Sequence, residues 1–124
     1  MIVDDEPDIL DALRIVFENQ NFDVITAESG RKCLEELEKG FSGVILMDIM
    51  MPGMDGWDTI QEIVDRGLSD KVAIEIITGQ GTKDHNKLIG LEAYIHDYMS
   101  KPVDMETLIF SINRCLAKLA SKKS

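Results

Sequence analysis

The chain of 124 residues is 44 % hydrophobic and 29 % charged, a globular composition at the size of one ordinary domain, which excludes a disordered segment and leaves no room within it for a second folded module. Thirteen Lys and Arg stand against 23 Asp and Glu, a formal net charge of −10, so direct nucleic-acid binding by this domain is disfavoured. No membrane span is expected, because the longest uninterrupted apolar run is Val44-Ile45-Leu46-Met47, against the roughly 20 residues needed to cross a bilayer, and no signal-peptide core opens the chain.

Met1 to Val3 reads as a very short strand before the acidic Asp4-Asp5-Glu6-Pro7. Central strands usually hold about five residues, so the natural chain is expected to start a few residues earlier. Ile9, Leu10, Leu13, Val16 and Phe17 recur at helical offsets and predict a helix. Phe22 to Ala27, rich in β-branched residues, predicts a second strand, and Ser29 caps a helix carrying Cys33, Leu34 and Leu37 that ends near Gly40. Val44 to Met47 is wholly apolar, as a strand covered on both faces must be, and Asp48 follows it into a loop reaching Gly56. Trp57, Ile60 and Val64 mark a third helix.

Val72 to Ile77 predicts a fourth strand, interrupted by Glu75, a carboxylate where burial is expected and for which the sequence names no partner. A weakly amphipathic helix is expected from about Lys83 to Ala93 and a fifth strand from Tyr94 to Met99, with an unusual polar stretch over Gly90 to His96. Lys101-Pro102 makes a turn, and Met105, Leu108, Ile109, Ile112, Leu116 and Leu119 form the buried stripe of a last helix. Five alternations of strand and helix predict an α/β, doubly wound, five-stranded parallel sheet with five helices and right-handed crossovers. Residues 1–120 form the domain, and 121–124 a C-terminal tail or linker. Cys33 and Cys115 are far apart, without metal-ligand spacing, and are expected to be reduced and buried in a cytoplasmic protein.

Open parallel sheets bind ligands beyond the carboxyl ends of their strands. Here that edge collects Asp4 and Asp5 after the first strand, Asp48 after the third, Thr78 after the fourth and Lys101 after the fifth. Clustered carboxylates repel one another unless a cation joins them, and an all-oxygen set suits Mg²⁺, with Mn²⁺ as the alternative. Asp4-Asp5 also has a plainer reading at about even odds, as acidic residues complementing a helix N-terminus. Lys101 and Thr78, judged singly, fit a surface turn and a strand end; their joint placement favours a site.

Four blocks, Val3-Asp4-Asp5-Glu6-Pro7, Asp48 to Gly56, Ile77-Thr78-Gly79 and Asp97 to Pro102, together resemble the receiver domain of two-component response regulators. The resemblance implies the flavodoxin-like strand order 2-1-3-4-5. It implies Asp48 as phosphoacceptor from the phosphohistidine of a sensor histidine kinase or phosphotransfer protein, and Mg²⁺ held by Asp5, Asp48, the Met50 backbone carbonyl and, directly or through water, Asp4. Lys101 and Thr78 would contact phosphoryl oxygens, Thr78 and Tyr98 would form the switch pair, and Gly79 would leave the phosphate room. The switched surface would comprise the fourth helix, fifth strand and fifth helix and face an output domain or downstream protein, with the domain a monomer or a phosphorylation-dependent dimer.

A signalling phosphoacceptor, not a turnover enzyme, is therefore expected. An aspartyl-phosphate phosphohydrolase would place an acid/base carboxylate two residues after its nucleophile, where this chain has Met50. A binding-only module is disfavoured by the competent side chains at all five positions, and flavin binding by the acidic first loop. Met50, with neutral Gln80, also predicts slow self-dephosphorylation. Trp57 reads as a packing residue and candidate fluorescence reporter, and Met47 as core, while Met50, Met51 and Met54 fill gaps in or beside the loop. For His85 and His96 a metal-ligand role has roughly one chance in ten, given no spaced partner.

Overall fold

The computed structural model describes residues 1–79 and 89–122. Its elements are β1 (Ile2–Val3), α1 (Pro7–Asn19), β2 (Thr26–Ala27), α2 (Gly30–Glu38), β3 (Gly43–Asp48), α3 (Gly56–Asp65), β4 (Val72–Thr78), a 3₁₀ turn (Glu92–Tyr94), β5 (Ile95–Ser100) and α4 (Met105–Lys122). The strands form one sheet in the order β2-β1-β3-β4-β5, and every pairing is parallel. This is the doubly wound, flavodoxin-like order that the resemblance implied. Four α-helices lie among the described residues. Most of the helix expected from Lys83 to Ala93, with Gln80 and His85, falls on residues 80–88, outside the described residues.

Alternation along the central strands divides the core. Ile45 and Met47 of β3 and Ile74 and Ile76 of β4 pack with Cys33, Leu34, Leu37, Trp57, Ile60 and Ile63 against α2 and α3. Val44, Leu46 and Ile77 point the other way, to Leu10 and Phe17 of α1 and Leu108, Ile112 and Cys115 of α4. Each buried Leu, Ile or Phe contributes about 1.5–3 kcal/mol relative to exposure, so the central strands are held by both layers. They give the site a stiff base.

Three expectations need correction. β2 is only Thr26–Ala27; Phe22 and Val24 pack on the second core without joining the ladder, because Asn21 at φ 68° reverses the chain and sets Phe22 edge-on to Phe17, centroids 5.6 Å apart. On α4, Leu116 is 36 % exposed, whereas Ser111 and Cys115 are buried. The inward stripe follows 108, 111, 112 and 115, and its two polar members face Glu75. Finally, β5 begins at Ile95, since Tyr94 closes the preceding turn. Cys33 and Cys115 are free and buried as expected.

Candidate functional site

At the carboxyl edge of the sheet, Asp4 follows β1, Asp48 and Thr78 end β3 and β4, and Lys101 follows β5. The backbone N–H of Lys101 donates to the Thr78 carbonyl at 2.8 Å, which ties the end of β5 to β4. Its ammonium group lies 3.3 Å from Asp4 Oδ2 and 3.6 Å from Asp48 Oδ2. Carboxylate oxygens of Asp4, Asp5 and Asp48 lie within 4.8 Å of one another. Sequence order separates these groups widely; the parallel topology brings them to one place.

The plainer reading of the acidic pair, as helix N-terminal charge, does not describe the contacts of Asp4. The N-cap of α1 is Glu6, with no side-chain cap, and Asp8 is the acidic residue of the first turn. Asp4 instead accepts the Glu6 N–H at 3.0 Å through Oδ1 and the Lys101 ammonium through Oδ2, while only 3 % exposed. It faces the cluster.

Asp48 accepts the Met50 N–H through Oδ1 at 3.1 Å, which fixes the carboxylate against the loop backbone. Burial pushes its pKa above the ordinary carboxylate value; the Met50 N–H and Lys101 pull it back, and Asp4 and Asp5 push it up again. For Lys101, burial works to lower the value, but Asp48 and Asp4 outweigh it and the net shift is upward. Asp4 and Asp48 thus share one ammonium group while Asp5 stands in the same cluster, a net deficit of positive charge that a dication would fill. Oxygen donors at this spacing fit a hard cation.

Supporting residues fix the loop. Asp55 caps α3 by accepting the Asp58 N–H at 2.9 Å, and Asp58 returns the contact to the Asp55 N–H at 3.4 Å. Gly56 N donates to Ile49 O at 3.0 Å, and a Cβ at Gly56 would stand 2.7 Å from Ile49 Cα and 2.8 Å from Asp48 O. Only glycine allows this approach. The sequence offered Gly56 merely as a loop residue; what it missed was a closeness visible only in the folded loop. Met50 is 56 % exposed, Met47 is core, Met51 is buried and Met54 packs against the first core.

Thr78 is buried, and a Cβ at Gly79 would meet nothing within 4 Å, so space lies open beside the edge. Tyr98 pairs opposite Ile76 in the β4–β5 register and packs with the first core. Its ring stacks on Trp57, centroids 6.4 Å apart and planes inclined by 22°. Trp57 is buried packing, as expected, and its contact with Tyr98 was not foreseen; residues 41 positions apart carry no mutual signal in sequence.

The family model for the response regulator receiver domain matches residues 1–113. The chain belongs to that family. It is 34 % identical to Protein PilH of Pseudomonas aeruginosa, over 94 % of this chain and 96 % of PilH. It is 33 % identical to the transcriptional regulatory protein CpxR homolog of Haemophilus influenzae, over 98 % of this chain but 51 % of that protein. The chain therefore spans about half the length of some curated relatives and nearly the whole of another. Among solved structures, a CheY-like response regulator receiver domain protein from Methanospirillum hungatei superposes with a TM-score of 0.91 at 44 % identity, covering 98 % of this chain and 95 % of that one. No helix among the described residues is long and apolar enough to cross a membrane.

Proposed function

We propose that this receiver domain takes a phosphoryl group from the phosphohistidine of a sensor histidine kinase or phosphotransfer protein onto Asp48. The observation that carries the reading is the convergence of Asp48 with Asp4, Asp5 and the Lys101 ammonium at one sheet edge. An Asp48 carboxylate oxygen forms the new O–P bond as the P–N bond of the donor breaks, and the departing imidazole takes up a proton. Such transfer needs in-line positioning and neutralisation of spread negative charge, with little covalent chemistry from the protein. The Met50 N–H holds Asp48 for attack, Lys101 pairs with a phosphoryl oxygen, and the Thr78 hydroxyl donates to another.

Asp5, Asp48 and the Met50 carbonyl, with Asp4 directly or through water, would hold Mg²⁺, or Mn²⁺ in its place. The ion supplies charge neutralisation at the transferring group. Its residues fit on the spacing of their oxygens and on the unbalanced carboxylate charge.

In this reading Thr78 and Tyr98 couple the edge to the surface of the residue 83–93 segment, β5 and α4, which meets an output domain or a downstream protein. Relatives of both lengths support either arrangement. The phosphoryl group favours the arrangement in which the Thr78 hydroxyl reaches it, and that difference in binding sets the shift. Residues 1–120 then constitute the receiver domain and 121–124 the tail or linker, into which α4 runs as far as Lys122; the protein acts in the cytoplasm, as a monomer or a phosphorylation-dependent dimer, without direct nucleic-acid contact. It catalyses only its own phosphorylation and slow dephosphorylation.

Intact-mass measurement after incubation with a small phosphodonor and Mg²⁺ tests the proposal. Wild type should gain one phosphoryl group and Asp48→Asn none, with unchanged circular dichroism. Equal modification of the two would overturn the assignment, and rapid continuous release of phosphate would point to a phosphohydrolase.

A further inference from the structure

Glu75, the anomaly of β4, lies on the α4 side of the sheet and is 0 % exposed. Its Oε1 accepts from Ser111 Oγ at 2.6 Å and Cys115 Sγ at 3.0 Å. Its Oε2 is buried without a hydrogen-bond partner among the described residues. Ser111 is also 3.2 Å from Asp97 Oδ2, yet a serine hydroxyl has one proton to give. Among the described residues the cluster is short of hydrogen-bond donors.

The register explains how a histidine joins it. Ile74 pairs with Ile95 and Glu75 with Asp97, so His96 is the extra residue of a β-bulge. Ile95 and Tyr98 pack against the first core and Met99 against the second. Regular alternation would turn His96 and Asp97 to opposite faces; the bulge lets both address α4. A nitrogen of His96, an oxygen of Glu75 and the sulfur of Cys115 lie within 4.8 Å of one another.

We infer that Glu75, His96 and Cys115 form a second metal site, for one divalent transition ion of the Zn²⁺ class, with water completing the coordination. Mixed sulfur, nitrogen and oxygen donors select such an ion over Mg²⁺. Ligand atoms about a tetrahedral Zn²⁺ stand roughly 3.3–3.8 Å apart, which the half-buried His96 can reach by a small side-chain movement. A carboxylate and a thiolate together neutralise a dication in a buried place, and the ion occupies the side of Glu75 that no donor serves. On coordination the metal–sulfur bond replaces the S–H bond of Cys115, and the proton passes to the buffer. A cleft of about 620 Å³ lined by His96, Cys115, Tyr94 and Lys118 provides entry from solvent.

Co²⁺ titration of the Asp5→Asn protein under reducing conditions, followed by Zn²⁺ displacement, tests the site apart from the carboxylate edge. One equivalent of Co²⁺ should raise a thiolate-to-metal charge-transfer band that Zn²⁺ abolishes. Cys115→Ser should lose the band, and His96→Gln should weaken binding at least as much as loss of an outer partner does, roughly 10- to 100-fold. Absence of the band, its survival in Cys115→Ser with loss in Cys33→Ser, or unchanged affinity in His96→Gln would each overturn the proposal.

Discussion

Two groups of carboxylates lie in this domain, and their settings differ. Asp4, Asp5 and Asp48 stand where strands end, with an ammonium group 3.3 Å from Asp4 and 3.6 Å from Asp48. Glu75 and Asp97 stand inside strands beneath α4, with a serine hydroxyl and a thiol as neighbours. In the proposed transfer the edge cluster takes and releases a charged group, with open space beside Gly79 at the end of β4. The inner cluster must be compensated in place, since burying a charge without a partner costs several kcal/mol. Location within a strand thus decides whether the same functional group serves exchange or must be tied down.

The largest effect that would sharpen this contrast is at Asp5. Asp5→Asn should weaken Mg²⁺ binding about a hundredfold, near 2.7 kcal/mol, as followed by Trp57 fluorescence or calorimetry. Unchanged affinity would mean that the cation sits elsewhere. Next comes the loop that presents Asp48. In Gly56→Ala the new methyl would press on Ile49 and the Asp48 carbonyl, so stability should fall by about 1–3 kcal/mol and phosphorylation should slow. Thermal melting and intact-mass time courses check both; a variant with wild-type melting and wild-type rate would show that the loop yields freely.

Met50 comes third. Its side chain is exposed beside Asp48 and cannot orient water. Met50→Asn should speed decay of the Asp48 phosphate about tenfold, if one added contact contributes roughly 1.4 kcal/mol to the barrier. Decay no faster than wild type at equal Mg²⁺ would place control of the water at another residue.

The smallest expected effect concerns pH in the absence of divalent metal. Burial, with Asp4 and Asp5, raises Asp48 above its ordinary value of 3.8 against the pull of Met50 and Lys101. The folded state therefore holds the Asp48 proton more tightly than the unfolded state, and its contribution to stability falls as pH rises from near 3.8 through the raised value. Asp48→Asn should remove that decline and raise the melting temperature near neutral pH by a few degrees at most. Superimposable stability–pH curves for the two proteins would contradict the assigned charge strain.

The same contrast explains what the sequence disclosed. Apolar runs and caps located the strands and helices, and because parallel topology sends every strand's carboxyl end to one edge, Asp4, Asp5, Asp48, Thr78 and Lys101 could be gathered from sequence. The partners of Glu75 could not. They depend on a bulge that turns His96 and on the rotation of α4, where Cys115 rather than Leu116 faces inward. Neither follows from periodicity. The shortness of β2 and the Trp57–Tyr98 stack were hidden for a related reason, since each depends on how distant segments settle against one another.

Chemical trapping of the phosphorylated residue tests the central claim most directly. Borohydride reduction of the protein after phosphorylation, followed by peptide mapping, should find homoserine at position 48 and leave Asp4 and Asp5 intact. Reduction at Asp4, Asp5 or any other carboxylate, with Asp48 unmodified, would contradict the account.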